Sequence, residues 1–328
     1  MIFSLLFVIA IAVIYLIVNN SYNECNDGTL YNQCSGIQPY YCFMGNLIER
    51  APLCGCANLS EVQGNKCVAP YSSERKTVSL NYTLRGQKGT IDFAVYKGLY
   101  DYLSAIPRYY NFEENHTLLD FRMKMLDDEY QRELLLPLVI EIQKITSDKE
   151  DQAKIAISLV QNIPFGNSDK ILKVGGIVFD YQRYPYEVLY DTEGVCGEKS
   201  ELLVFLLREL NYSSAFLYYS AENHEAVGIK CPKKYGVDDS EYCFVETTGP
   251  SIISDDKTEY VGIVSLTSDP LILIASEGLS LNKYEQEYLD AQILENIRES
   301  ARDDGLLNPI QYLQYQTLKT RYGLEFFS

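Results

Sequence analysis

The chain has 328 residues, 47% of them apolar, with 28 Lys+Arg against 45 Asp+Glu and a net charge of -17. That length and apolar content exclude a disordered chain or a miniature scaffold and are enough for one sizeable core or two smaller ones. The acidic balance repels nucleic acid phosphates and anionic lipid headgroups, so nucleic acid is excluded as a partner.

Residues 2 to 18, IFSLLFVIAIAVIYLIV, carry no charge and come close to the roughly 20 residues that cross a bilayer as a helix. No Lys or Arg precedes the stretch and VNNSYNE lacks an Ala-x-Ala pattern, so an uncleaved N-terminal anchor over residues 1–20 is favoured over a signal peptide. The first basic residue after it is Arg50, so charge does not set its orientation. Six cysteines do. Cys25, Cys34, Cys42, Cys54, Cys56 and Cys67 crowd into residues 21–70, the density of a disulfide framework in an oxidising compartment. Zinc is the competing reading, but the stretch has no histidine and its tight pair is Cys54-Gly55-Cys56. Six cysteines allow 15 pairings, and spacing does not choose among them. The expected arrangement is a single-pass membrane protein with its N-terminus inside and its body outside the cytoplasm.

Residues 71–126 form a connecting region. A polar linker, YSSERK, precedes VSLNYTLRGQKGTIDFAVY, which alternates apolar and polar residues around a Gly-containing turn and reads as a β-hairpin. GLYDYLSAI follows as a helical turn stopped by Pro107. From Asp127 the pattern becomes helical, with a kink or boundary expected at Pro137. The next helix opens at Ser147 or Asp148, with Ala156, Leu159, Val160 and Ile163 at helical spacing. YQRYPYEVLYDTEG reads as a tyrosine-rich loop that leads into GVCGEKSELL. SELLVFLLREL is apolar all round, which marks a buried helix. SSAFLYYS, HEAVGIKC and YCFVETT have strand-like content, and YEQEYLDAQILENIRESA returns to an amphipathic helix. Helices followed by strands define an α+β protein: a core over residues 127–265 and a C-terminal helical extension over 266–328 that carries no readable motif.

Cys231 and Cys243 flank the turn PKKYGVDDSEY and form a plausible second bridge, which leaves Cys196 over. An odd cysteine outside the cytoplasm is a buried inert thiol, a partner for another chain, or a reactive thiol. Of only two histidines, His116 and His224, the second lies on a strand-like run after the buried helix, and Glu246 lies on the next run. Nucleophilic catalysis by cysteine needs a thiol, a base and a group to orient the imidazole, and Cys196, His224 and Glu246 supply them in that order. Strand alternation puts Cys231 and Cys243 on one face and His224 and Glu246 on the other. Direct opposition of the two cysteines, however, leaves His224 and Glu246 offset by four, so either a bulge intervenes or the bridge is absent.

YPYEVLYDTEGVCGEKSELLVFLLRELNY, then NHEAVGI, then YCFVETT resembles the transglutaminase-like superfamily over roughly residues 130 to 265. The resemblance implies a papain-like core with helices packed on an antiparallel sheet, Cys196 as nucleophile, His224 as base and general acid, and Glu246 as orienting acid in place of the commoner Asp. It implies a protein or peptide substrate and a thioester intermediate, with water or an amine as acceptor. A thiol at a helix start faces unsatisfied amides and the positive end of the dipole, which favours thiolate. Asp191, Glu193 and Glu198 bring opposing charge. Gly197 leaves the first turn open, and the Cys196 amide is a candidate oxyanion donor. Where eukaryotic transglutaminases use a tryptophan at the oxyanion, this chain has none, and the second donor is unassigned: Tyr186 and Tyr190 are candidates, though among 28 tyrosines a surface or core role is favoured for either. No cofactor or metal pattern stands out. The alternative is a catalytically inactive binding or structural module of the cell surface. Asn58, Asn81, Asn115 and Asn211 each begin an N-x-S/T sequon. The six-cysteine stretch resembles small modules of archaeal surface proteins, which implies a prokaryotic, archaeal origin.

Overall fold

A computed structural model describes residues 24–57, 60–108, 117–166, 171–174, 177–180, 182–257, 266–304 and 306–324. The predicted anchor, His116 and the sequons at Asn58 and Asn115 lie outside the described residues. Among the described residues no helix is long and apolar enough to cross a membrane. The chain divides into two compact units, residues 1–70 with 136–148, and residues 71–135 with 149–328.

The first unit is built on disulfides. Its elements are two small hairpins, β1 (Tyr40–Phe43) with β2 (Asn46–Glu49) and β3 (Glu61–Gln63) with β4 (Lys66–Val68), and one helical turn, α1 (Ala51–Cys54). Cys25 bonds Cys42, Cys34 bonds Cys54 and Cys56 bonds Cys67, which selects one of the open connectivities and removes zinc from consideration there. Cys25, Cys42, Tyr40 and Leu47 bury one small cluster with Ile140. So little apolar surface supports a fold of this size only with covalent closure.

In the second unit the predicted hairpin spans β5 (Arg75–Leu84) and β6 (Gln87–Tyr96), turned by Arg85 and Gly86, both at positive φ. Helices α2 (Lys97–Ala105) and α3 (Leu118–Leu126) follow. Helix α4 (Glu129–Ile145) runs through Pro137 as one helix, so of the kink or boundary expected there the helix boundary does not form. The proline removes one backbone bond, while Leu135, Leu138, Val139 and Ile142 around it are fully buried and hold the helix together. The boundary between the units nevertheless falls beside it, between Leu135 and Leu136. Helix α5 (Lys149–Gln161) begins directly after Asp148, with Glu150 and Asp151 in its first turn.

The short strands β7 (Ile171–Val174) and β8 (Ile177–Asp180) pair with each other. What read as a tyrosine-rich loop contains a helix, α6 (Pro185–Asp191), because Pro185 is pre-set for the first helical position and Glu187 reaches back to the Tyr184 N–H at 2.9 Å. Helix α7 (Cys196–Glu209) buries Leu202 through Leu207 without a polar stripe, as its composition predicts. It packs on β9 (Ser214–Tyr219) and β10 (His224–Lys230), and against α5 and α6. A four-stranded antiparallel sheet runs in the order β11 (Tyr242–Val245), β10, β9, β12 (Leu271–Ser276). Strand β12 comes from the segment read as a helical extension, so the core sheet does not end at residue 265. Helices α8 (Glu285–Asp304) and α9 (Pro309–Tyr322) complete that segment, sharing a core with Ile252. The α+β class and the antiparallel sheet under helices stand.

The register puzzle resolves without a bulge between β10 and β11. Cys243 faces Ile229, two residues short of Cys231, and one further step of the same register sets Ala226 opposite Glu246, two residues beyond His224. The expected offset of four is split evenly, and the Cys231–Cys243 bridge forms diagonally at the sheet end.

Candidate active site at the start of a buried helix

Cys196 is the first residue of α7 and the free cysteine among the described residues. The approach to it is pinned by backbone. Gly194 donates to the Pro164 carbonyl at 3.3 Å, and its own carbonyl accepts from Gly166 at 3.2 Å. Glu198, buried in the first turn of the helix, accepts from the Val195 N–H at 3.0 Å and closes the helix start.

His224 opens β10 and Glu246 follows β11, so adjacent strands deliver both side chains to that helix start. The Glu246 carboxylate is fully engaged: Oε2 meets His224 Nε2 at 2.9 Å, and Oε1 accepts from the Thr247 and Thr248 amides at 3.0 and 2.8 Å. Nε2 being taken, Nδ1 is the ring nitrogen left for Cys196, whose thiol is hydrogen-bonded to the imidazole. His224 and Glu246 are each 1% exposed, whereas Cys196 is half-buried. Burial resists charging the imidazole, but the bonds and charges of Cys196 and Glu246 outweigh it and push His224 up to about 10.

Two cations missed by sequence reading organise the surroundings. Arg183 gathers Asp191, Glu193 and Glu198 at 2.9, 2.7 and 3.1 Å, so the acids expected to oppose the thiolate converge on one guanidinium. Lys199, fully buried on α7, donates to the carbonyls of Gln161, Ile163 and Thr248 and ties the helix to the end of α5 and to the loop after Glu246. Gln161 adds a bond from its amide to the Glu246 carbonyl at 2.9 Å. Thr247 Oγ1 donates to the Cys196 carbonyl at 3.3 Å. No local pattern announces these contacts, since every partner but those of Arg183 is more than 30 positions away.

Neither tyrosine proposed as an oxyanion donor serves at the thiol. The Tyr186 hydroxyl accepts from the Tyr96 N–H in the core, and Tyr190 stacks on Tyr100 with Lys76 over its ring at 3.7 Å. A cavity of about 420 Å³ lies elsewhere in this unit, lined by Arg85, Lys154, Gln161, Ser251 and Arg321 among others. Cys196 is not among its lining residues. Among the described residues no group of three His, Cys, Asp or Glu is placed to hold a metal.

No known family model matches the chain, and no curated protein matches it. Among solved structures it is similar to LapG of Legionella pneumophila at 12% identity and a TM-score of 0.28, over 48% of this chain and 87% of that one. A calcium-bound form of LapG gives 14% identity and 0.27 over 52% and 96%. Overlaps this loose leave the chemistry to be argued from the residues of this chain.

Proposed function

We propose that the chain is a thiol enzyme that cleaves or transfers amide bonds in a protein or peptide substrate. The observation that carries this reading is a single buried imidazole held between a half-buried thiol and a carboxylate that accepts two further backbone bonds. Cys196 Sγ attacks the amide carbonyl carbon, and the carbonyl electron pair moves to oxygen beside the Cys196 N–H. As the pair returns, the C–N bond breaks and the His224 imidazolium gives its proton to the departing amine, leaving a thioester. Water, deprotonated by the now neutral His224, then displaces the thiolate and releases an acid. Hydrolysis is favoured over amine transfer because water is always present. The resemblance of the three motifs to the transglutaminase-like superfamily supports the same chemistry. Four disulfides support an oxidising, extracytoplasmic location, and the apolar residues 2–18 support a membrane anchor.

The test is the rate of iodoacetamide labelling of Cys196 against pH, with disulfides intact, in the parent and in His224→Ala. Labelling of the parent is expected to persist well below the free-thiol value of about 8.5 and to lose that low-pH component in the variant. An ordinary thiol titration unmoved by the substitution overturns the reading and favours the inactive surface module.

A further inference from the structure

Arg122, on α3, is not a member of the Cys-His-Glu set, yet its guanidinium lies beside Gly197, the residue after Cys196. Its Nη1 donates to Glu201 and its Nη2 to Glu225, each at 2.8 Å. Glu201 lies one turn along α7 from Gly197, and Glu225 is the residue after His224, so one guanidinium clips α3 to both elements that carry the site. A Cβ built on Gly197 would meet Arg122 Nη2 at 3.3 Å and Glu225 Oε1 at 3.5 Å. The space that glycine leaves beside Cys196 is therefore occupied by this ion pair. Cys196 is in turn among the groups that raise Arg122, after Glu225 and Glu201 and against its burial.

As a structural device the cluster is poor. Arg122 Nε, Glu201 Oε2 and Glu225 Oε1 are buried with no hydrogen-bond partner among the described residues. Half-satisfied buried ion networks weaken a fold, and they persist where function holds them. Burial pushes Glu201 well up and Glu225 up, against the pull of Arg122.

We infer that Arg122 is a positioning residue of the site: held by Glu201 and Glu225 over Gly197, it supplies a second positive charge to the Cys196 thiolate and fixes the start of α7 against β10. The inference rests on Cys196 being the nucleophile.

The experiment compares alkylation of Cys196 by anionic iodoacetate and neutral iodoacetamide at a pH where the thiol is ionised without help, in a His224→Ala background that removes the imidazolium. Their rate ratio reads the remaining positive charge near the sulfur. Arg122→Met is expected to lower the ratio at least about threefold and Arg122→Lys to restore most of it. Glu225→Gln, near-isosteric and safe should Arg122→Met fold poorly, is expected to raise it about twofold. A ratio unmoved by Arg122→Met or by Glu225→Gln, or a deficit equal in Met and Lys variants, overturns the inference. Failure of the nucleophile reading is seen separately, as absence of the His224-dependent low-pH labelling in the parent.

Discussion

His224 is where the chemistry is concentrated, and its protonation has a definite sign. The groups facing it are Cys196, Glu246, the neighbouring Glu225 and the Tyr219 ring at 6.5 Å. Its pKa is raised to about 10, so the stability it contributes is present in full below the unfolded value of about 6.5 and is lost as pH rises through about 10. Proton donation to a leaving amine should fail over the same alkaline window. Because the chain has only two histidines, a titration of imidazole Cε1–H signals, assigned with His224→Asn, reads this directly. One signal should titrate near 10, and Glu246→Gln should bring it down by at least about one unit, a loss of about 1.4 kcal/mol at neutral pH. A His224 signal that titrates near 6.5 in the parent rules out the ion pair. The order Cys, His, Glu and the position of Cys196 at a helix start were legible because both are local features. Arg122 was not, since its partners lie 79 and 103 positions away and nothing in the sequence near it differs from an ordinary amphipathic helix.

At the scale of elements, α7 is set in place by Lys199 rather than by a cap alone. An ammonium buried among three carbonyls is satisfied only while all three elements stay together. Replacing it with Met keeps the length and apolar stem but leaves those carbonyls unbonded, at a cost of about 2–3 kcal/mol in urea unfolding. The same variant should slow Cys196 alkylation, because the loop after Glu246 loses its tie to α7. Unchanged stability and alkylation would show that water replaces the ammonium. The pattern of the sheet was partly legible: alternation assigned faces correctly, but register depended on where the bridge sits. The diagonal Cys231–Cys243 bond joins a paired residue of β11 to the residue just past the end of β10, a detail that periodicity does not encode. Helix α6 was hidden for a different reason, since aromatic and proline content reads as a loop until the buried Glu187, which also takes Arg108 and Ser104, is seen to hold it.

Across the whole molecule, two strategies for stability share one chain. The unit around residues 71–135 and 149–328 rests on large buried side chains, such as Phe205, Phe216 and Phe244, and its single disulfide sits at a sheet end already held by four backbone pairs. The unit around residues 24–70 has few buried apolar residues and three disulfides with separations of 17, 20 and 11 residues. Cysteine density made that division readable, whereas β12 was missed because Leu271 and Ile274, half exposed on an edge strand, carry no clean alternation. Loops of these lengths contribute about 3 kcal/mol each by closure. Reduction therefore should act unevenly. Hydrogen exchange measured before and after dithiothreitol treatment is expected to show peptides from 24–68 losing protection, while 196–209 keeps most of its own. Equal loss in both regions would mean that the core of α7 depends on the disulfide framework, and that burial of Leu202 through Leu207 is insufficient to hold the start of that helix where Cys196 works.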